Sequence, residues 1–313
     1  MILRDRPSGI KLFLALRGSI VPRILPALLL NIAIATLVTW SHGDLFRLKI
    51  TLTTIPFTLI GLPLAIFLGF RNNAAYDRFW EGRKLWGELV LRSRSLARQC
   101  TSLIAYPLAA RFDAGLADLR VRMVLRTIAY NFAVRDLLRR QGATPASQQL
   151  LGAAEWHALQ NAPNQPDFLL QQMAADLAQC LRERRIDPIL AGAIDATLTA
   201  LAGAAAGCER IRNTPVPFSY LLLLHRTSYL YCFLLPFGLV DSIGFMTPFV
   251  VGIVAYTFFG LDALGDELEE PFGLEANDLP LDAICRAIEI DLRAALGDPA
   301  LPVPLVPVNY RLT

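Results

Sequence analysis

Long stretches without charged side chains constrain this chain more than any other feature of its 313 residues. No Asp, Glu, Lys or Arg occurs between Arg23 and Asp44, nor between Lys49 and Arg71. Each stretch is about the 20 residues that a helix needs to cross the hydrocarbon core of a bilayer. The amino-terminal part of the chain is therefore predicted to form two membrane-spanning helices.

Two further apolar regions follow nearer the carboxyl terminus, at residues 216–240 and 242–261. The first is interrupted by His225 and Arg226, and an ionisable pair inside a spanning helix suggests a functional site. Alternatively, Arg226 snorkels to the nearby cytoplasmic membrane surface, beside an aromatic belt that includes Trp80, Trp86, Tyr220 and Tyr229, and we prefer this interpretation. His225 is expected to have no partner for proton transfer, since none is visible in the sequence. The four stretches together predict an all-α membrane protein with four transmembrane helices.

Charge placement orients these predicted helices. Basic residues cluster on one side of them, before the first span (Arg17, Arg23), after the second (Arg71, Arg78, Arg83, Lys84) and before the third (Arg210, Arg212). Because basic residues are enriched in cytoplasmic segments, both chain termini are predicted to be cytoplasmic.

Residues 85–212 have a more polar composition than the predicted spans, with polar residues interleaved with Leu and Ala at helical spacing. This pattern predicts a cytosolic helical bundle. Residues 141–167 are expected to form loops around a short helix near Glu155. The predicted organisation is a cytosolic amino-terminal segment (1–23), transmembrane helices 1 and 2 (24–84), a cytosolic helical region (85–212), transmembrane helices 3 and 4 (213–264), a cytosolic acidic segment with a helix (265–296) and an extended proline-containing tail (297–313).

Composition excludes several functional classes. A net charge of +3 is too small to indicate a nucleic-acid-binding surface. The five cysteines form no CxxC pair, so neither a zinc site nor a disulfide framework is expected. HExxH and GxSxG motifs are absent from the sequence. We therefore predict that the protein is not an enzyme.

The second predicted span carries two regular patterns. Gly61, Ala65 and Gly69 form a ridge of small residues that allows another helix to approach closely. Leu62, Ile66 and Phe70 are also four residues apart, so they form a stripe of bulky apolar side chains that runs parallel to this ridge. If several copies surround an axis, this stripe makes a narrow apolar constriction. The spacing alone favours the alternative of a lipid-buried helix whose glycines pack within one subunit.

The run IPFTLIGLPLAIFLGFRNNAAYDRFWEGRKLWG, which begins at Ile55, resembles the bestrophin signature of a pore-lining second helix that continues into a cytosolic extension rich in Arg and Trp. This resemblance implies a homopentameric channel around a central pore, with a neck at Leu62, Ile66 and Phe70. It further implies a multi-pass protein of the bacterial inner (cytoplasmic) membrane, whose partners are its own copies, the lipid bilayer and small inorganic ions.

Chloride or another small anion is the ion that the family resemblance implies. A monovalent-cation channel of the same fold is the alternative, because animal members carry two Phe in the neck and this sequence carries only Phe70 there. Asn72 and Asn73 follow the neck and can present amides to an ion of either sign, or can simply solvate the helix at the membrane surface. A non-conducting membrane scaffold or a transporter is the alternative of another class.

Two other segments resemble family sites. In the run RIDPIL, Ile189 matches the residue of a second constriction at the cytosolic aperture, although Pro188 also predicts an ordinary helix start with Ile189 in a core. Glu275, Asn277 and Asp278 follow the PFG motif where animal members bind calcium.

Only two of these three residues are carboxylates, and Ca²⁺ prefers six to eight oxygen ligands. No calcium dependence and no cofactor are therefore expected. The preceding acidic residues (Asp266, Glu267, Glu269, Glu270) are expected to pair with the basic residues after the second span (Arg78, Arg83, Lys84).

Overall fold

The computed structural model describes residues 1–3, 9–13, 15–41, 44–45, 48–49, 52–106 and 109–313. Residues 4–8 and 14 of the predicted amino-terminal segment lie outside this part of the chain. The described helices are α1 (Gly9–Phe13), α2 (Val21–Trp40), α3 (Ile55–Leu103), α4 (Leu119–Leu138), α5 (Ala153–Gln160), α6 (Gln165–Arg182), α7 (Pro188–Asn213), α8 (Phe218–Ile243), α9 (Thr247–Glu269) and α10 (Leu281–Ala295).

Non-helical regular structure is minor. The two-residue strands β1 (Asp44–Leu45) and β2 (Leu48–Lys49) pair in an antiparallel manner. Short 3₁₀ segments occur at Phe112–Ala117, Pro145–Leu150 and Gly244–Met246. The prediction of an all-α protein is confirmed.

Helix α3 is longer than a membrane span. It runs for 49 residues and continues past residue 84, where the predicted cytosolic helical region begins. At 1.5 Å per residue its length is about 74 Å, more than twice the roughly 30 Å of a hydrocarbon core. A large part of α3 must therefore lie beyond the bilayer interior.

The chain divides into two compact units, and one of them comprises Arg4–Phe79 and Pro215–Pro271. Within it, α2 packs against α8 and α9, and α8 packs against α9. The turn between α8 and α9 contains Gly244 at φ 53°, a left-handed conformation that a glycine adopts without a steric penalty. Both α2 and α9 have a proline in their first turn. Proline lacks the backbone N–H, but an N–H at this position has no acceptor within the helix, so no helical hydrogen bond is lost.

The other unit comprises Met1–Leu3, Trp80–Thr214 and Phe272–Thr313. Helix α4 forms its centre and packs against α6, α7 and α10. Buried arginines on α4 are paired: the side chain of Arg126 contacts Asp176 of α6, and its Nε donates to Glu155 Oε1 of α5 at 2.6 Å. Pairing of this kind removes much of the cost of burying a charge. Helix α5, which contains Glu155, is the short helix that was predicted within residues 141–167.

The carboxyl-terminal tail contains no helix and folds back on its own unit. Leu3 N donates to Tyr310 O at 2.8 Å, and Ala283 N donates to Thr313 O at 2.9 Å. Backbone hydrogen bonds therefore fix an extended segment that lacks a core of its own.

Four described helical stretches are long and apolar enough to cross a membrane: α2, α3, α7 and the joined stretch Phe218–Glu269. The joined stretch contains two predicted spans, and α7 was predicted to be cytosolic. The most apolar window of α7 is 39% buried within the protein, against 22% for the other three. Its apolar side chains are used in packing against α4 and α6, and Leu201 O accepts a hydrogen bond from Tyr130 at 2.8 Å. Its assignment to the cytosolic region stays a prediction.

Candidate pore-lining site

The first half of α3 presents two opposite faces. Leu62, Ile66 and Phe70 are 68%, 46% and 60% exposed, whereas Leu64 and Leu68 are 3% and 0% exposed. Successive residues of an α-helix are rotated by about 100°, so these two sets lie on opposite sides of the helix. We call the exposed apolar set (Leu62, Ile66 and Phe70) the neck face.

The buried face of α3 holds the neck face in place. Leu64 and Leu68 belong to an apolar core together with Ile24 of α2, Leu224 and Cys232 of α8, and Ala255, Phe258, Phe259 and Ala263 of α9. Close packing on one side of a helix fixes its rotation. The neck face is consequently directed away from the core of its own unit.

The two glycines of the small-residue ridge have different surroundings. A Cβ atom on Gly61 would lie 2.8 Å from the Tyr231 hydroxyl oxygen, so Gly61 permits close packing of α3 against α8 within one subunit. A Cβ atom on Gly69 would meet no described atom within 4 Å. Gly61 therefore packs within its own subunit, whereas Gly69 is open to the approach of a neighbouring helix.

The two asparagines after the neck have different surroundings. Asn73 is exposed and lies seven residues after Ile66, which places it on the same side of α3 as the neck face. Asn72 is half-buried, and its Oδ1 has no hydrogen-bond partner among the described residues. A Cβ atom on Gly265 of α9 would lie 2.7 Å from that oxygen, so Asn72 is directed toward α9.

A partly buried ionic cluster contains the residue that directly follows the neck. Arg71 is 2% exposed; its Nη1 donates to Asp262 Oδ1 at 2.5 Å and to Asp262 O at 3.1 Å. Its Nη2 donates to Asp266, whose other oxygen accepts from Arg23 Nη2 at 2.9 Å. Two helices, α2 and α3, thus supply cations to two carboxylates of α9.

His225 completes the cluster. Its Nδ1 lies 2.7 Å from Asp262 Oδ2. The expectation that His225 has no partner was wrong, because its partner lies 37 residues further along the chain and only packing of α8 on α9 brings them together. Arg226 is exposed.

Asp266, near the end of α9, pairs differently from the expectation as well. Its partners are Arg71 and Arg23 rather than Arg78, Arg83 or Lys84. Arg78 does reach Glu269, but its Nε donates to the backbone oxygen at 3.2 Å. The carboxylate of Glu269 accepts from Val216 N at 2.9 Å, which fixes the segment before α8.

Ile189 lies in the first turn of α7 and is 86% exposed. Asp187 caps this helix, because its Oδ1 accepts a hydrogen bond from Ile189 N at 2.8 Å. Pro188 starts the helix as predicted from the sequence, but Ile189 does not lie in the core of its unit. The neighbouring Ile186 is buried and anchors the segment.

The segment before Ile189 is clamped to the end of α3. Ala105 N donates to Arg185 O at 2.7 Å. The ring of Tyr106 contacts two guanidinium groups, since the Cζ atoms of Arg120 and Arg185 are each 4.4 Å from its centroid. Cation–π contacts of this kind favour one position of the Arg185 backbone.

Comparison with known proteins identifies the family. Residues 1–294 match the family described as "Bacterial/Fungal Bestrophin protein". This chain belongs to the bestrophin family. It is 42% identical over 302 residues to the voltage-dependent anion channel-forming protein mll4386 of Mesorhizobium japonicum, with 95% of this chain and 93% of that one covered.

Two further relatives extend the comparison. The voltage-dependent anion channel-forming protein YneE of Escherichia coli K12 is 40% identical over 317 residues, covering both chains completely. The crystal structure of a variant of a bacterial bestrophin homologue from Klebsiella pneumoniae has a TM-score of 0.81 at 38% identity. That match covers 88% of this chain and 99% of the other. This bestrophin is therefore a membrane protein with the fold of its bacterial relatives.

The segment of this bestrophin that resembles a calcium site is closed by its own contacts. Asp278 is 3% exposed, and its Oδ2 accepts a hydrogen bond from Glu275 N at 2.7 Å. The adjoining cavity has a volume of about 10 Å³, and Arg139 and Arg311 are among the residues that line it. Within the described chain, no group of three or more His, Cys, Asp or Glu side chains is arranged to hold a metal ion.

Sequence reasoning missed the role of Arg71. The available signals were an arginine directly after the last neck residue and two carboxylates, Asp262 and Asp266, one turn apart after the apolar part of α9. Intramembrane or juxtamembrane charges of opposite sign commonly pair.

Proposed function

We propose that this bestrophin is the subunit of a homopentameric ion channel in which the neck face of each α3 lines a narrow apolar pore. Small monovalent ions are the permeating species, and the names of the relatives support an anion such as chloride. Ile189 forms the second constriction, at the cytosolic aperture.

The observation that carries this proposal is the exposure of the neck face opposite a closely packed core. Lipid could also cover three apolar side chains, but Asn73 continues the same side of α3 and an amide is poorly suited to acyl chains. A side that changes from bulky apolar to polar along its length is suited to a pore with a hydrophobic constriction and a wet vestibule.

Planar-bilayer recordings with purified protein test the neck. Alanine at Leu62, Ile66 and Phe70 together is expected to raise single-channel conductance, because a wider and less bulky constriction dewets less readily. The matched control replaces three apolar residues of α2 that are also exposed, Leu29, Leu30 and Leu37, and is expected to leave conductance unchanged. Equal conductance of the neck variant and the wild type would contradict the proposed pore.

Reversal potentials under a potassium chloride gradient test the ion. A value near the chloride equilibrium potential supports the anion channel. A value near the potassium equilibrium potential would replace it by a cation channel of the same fold. Equal ion flux from liposomes with and without protein would favour a scaffold instead.

We also propose that conduction does not require calcium. The Asp278 carboxylate is buried and accepts a hydrogen bond from Glu275 N, and Arg139 and Arg311 are among the residues that line the adjoining cavity. Two positively charged residues at this position disfavour the binding of a cation. Currents that disappear in chelator and return with calcium would overturn this part of the proposal.

The proposed location is the bacterial inner membrane, with both termini in the cytoplasm, which the basic flanks of the spans support. Green fluorescent protein fused to the carboxyl terminus should fluoresce, whereas alkaline phosphatase at the same position should be inactive. The reverse pattern would contradict this orientation. Native mass spectrometry of the detergent-solubilised protein is expected to give the mass of five 34.6 kDa subunits.

A further inference from the structure

Asp77 lies on the same side of α3 as the neck. It follows Phe70 by seven residues, or about two helical turns, and Asn73 lies between them at near-equal spacing. Both Asn73 and Asp77 are exposed, whereas Arg71 and Ala75, on the opposite side, are buried. The exposed side of the helix thus runs from apolar at Phe70, through an amide, to a carboxylate at Asp77.

Asp77 has no ion-pair or hydrogen-bond partner among the described residues. The basic residues nearest to it in the sequence are directed elsewhere. Arg71 is buried against Asp262 and Asp266, and Arg78 Nε donates to Glu269 O. The charge of Asp77 is therefore not neutralised by the cations that flank it on α3.

We propose that Asp77 determines the charge selectivity of the channel, an inference that rests on the pore proposed above. In a homo-oligomer, each subunit contributes one carboxylate to a ring about 10 Å along the helix from Phe70. Rings of acidic side chains in a narrow conduit concentrate cations and repel anions. Asp77 consequently lowers the permeability to anions, and the ion preference reflects the balance between this ring and the apolar neck.

Substitution of Asp77 tests the inference in the full-length channel. Asp77→Asn removes the charge with little change in shape and is expected to raise the chloride-to-potassium permeability ratio about tenfold, as a single-sign field concentrates counter-ions by a factor of about 10 or more. Asp77→Glu keeps the charge and should retain the wild-type ratio. Asp113→Asn, an identical change at an exposed carboxylate on a 3₁₀ segment, is the matched control and should have no effect.

Ionic strength provides a readout that a merely structural role would not change. The Debye length falls from about 10 Å at 0.1 M salt to about 3 Å at 1 M. The difference between the wild type and Asp77→Asn should therefore shrink at 1 M salt. A structural defect would give a difference that does not depend on salt concentration.

An unshifted reversal potential in a conducting Asp77→Asn channel would overturn the inference and leave the proposed channel intact. Absence of current from the wild type would instead reject the channel itself. If Asp77→Asn does not assemble, the wild type and Asp77→Glu are compared at 0.1 M and 1 M salt. Permeability ratios in both that do not change with ionic strength would then overturn the role of Asp77.

Discussion

The guanidinium of Arg71 and the carboxylate of Asp262 are 2.5 Å apart and almost completely shielded from solvent. Arg71 directly follows the last neck residue, Phe70, on α3, and Asp262 lies on α9, 191 residues further along the chain. A bidentate or networked arginine tolerates little rotation. This pair therefore fixes the angle at which α3 presents the neck face.

Loss of Arg71 should destabilise the protein strongly. Arg71→Ala leaves the Asp262 carboxylate buried without its main cation, which costs roughly 3–5 kcal/mol of unfolding free energy. Arg92→Ala is the matched control, since Arg92 pairs with Glu88 on the surface and such pairs contribute about 0–1 kcal/mol. Chemical denaturation in detergent measures both variants. Similar losses in the two would show that the Arg71 pair has no special role.

The contacts of Asp282 predict an acid-sensitive contribution to stability. Burial opposes ionisation of this carboxyl, but the hydrogen bond from Arg139 and the charges of Arg139 and Arg135 outweigh burial and lower its pKa. The Nη1 atoms of the two arginines lie 2.8 Å and 3.0 Å from Asp282 Oδ1. Because the folded protein binds this proton less readily than the unfolded chain, the stabilisation is present at neutral pH.

That stabilisation is lost as the pH falls through about 4, the usual pKa of an aspartate, and below it. The melting temperature of Asp282→Asn should therefore be lower than that of the wild type at pH 7, and the gap should narrow toward pH 3. Differential scanning fluorimetry in detergent measures the gap. A gap of constant size across this range would contradict the role of Asp282.

Tyr106 should control the aperture through Arg185. Tyr106→Leu removes two cation–π contacts, each contributing roughly 0.5–2 kcal/mol, and is expected to raise single-channel conductance toward that of Ile189→Ala. Tyr106→Phe keeps the ring and should behave like the wild type. In an Ile189→Ala background Tyr106→Leu should have no further effect, because the residue it positions is gone. Additive effects of the two substitutions would show that Tyr106 does not act through Ile189.

The parts of this fold that are local in sequence could be predicted from it. Apolar stretches of spanning length located α2, the first half of α3, α8 and α9, and four-residue spacing identified Leu62, Ile66 and Phe70 as one face. Helix α3 continues past residue 84, as the family resemblance implies, because no proline or capping signal occurs there and the helical spacing is maintained.

The remainder depends on contacts between distant segments. Arg71 and His225 find their partner Asp262 only after α3, α8 and α9 have folded together, so neither pairing has a local signal. Helix α7 has the hydropathy of a membrane span although its apolar side chains pack against α4 and α6, and composition alone cannot distinguish a span from a helix of a packed bundle. The opposite surroundings of Asn72 and Asn73 likewise follow from the rotation of α3, which its packing partners set.

A metal bridge tests most directly whether the neck faces of several subunits meet at one axis. Ile66→Cys would place a ring of thiols at the middle of the neck, and Cd²⁺ binds to thiolates that lie close together. Phe67→Cys is the matched control, because Phe67 has similar exposure, 48% against 46%, but lies about 100° around the helix. We predict that Cd²⁺ blocks the current of Ile66→Cys channels, that a chelator restores it, and that Phe67→Cys channels are unaffected. Conducting Ile66→Cys channels that Cd²⁺ does not block would contradict the shared pore.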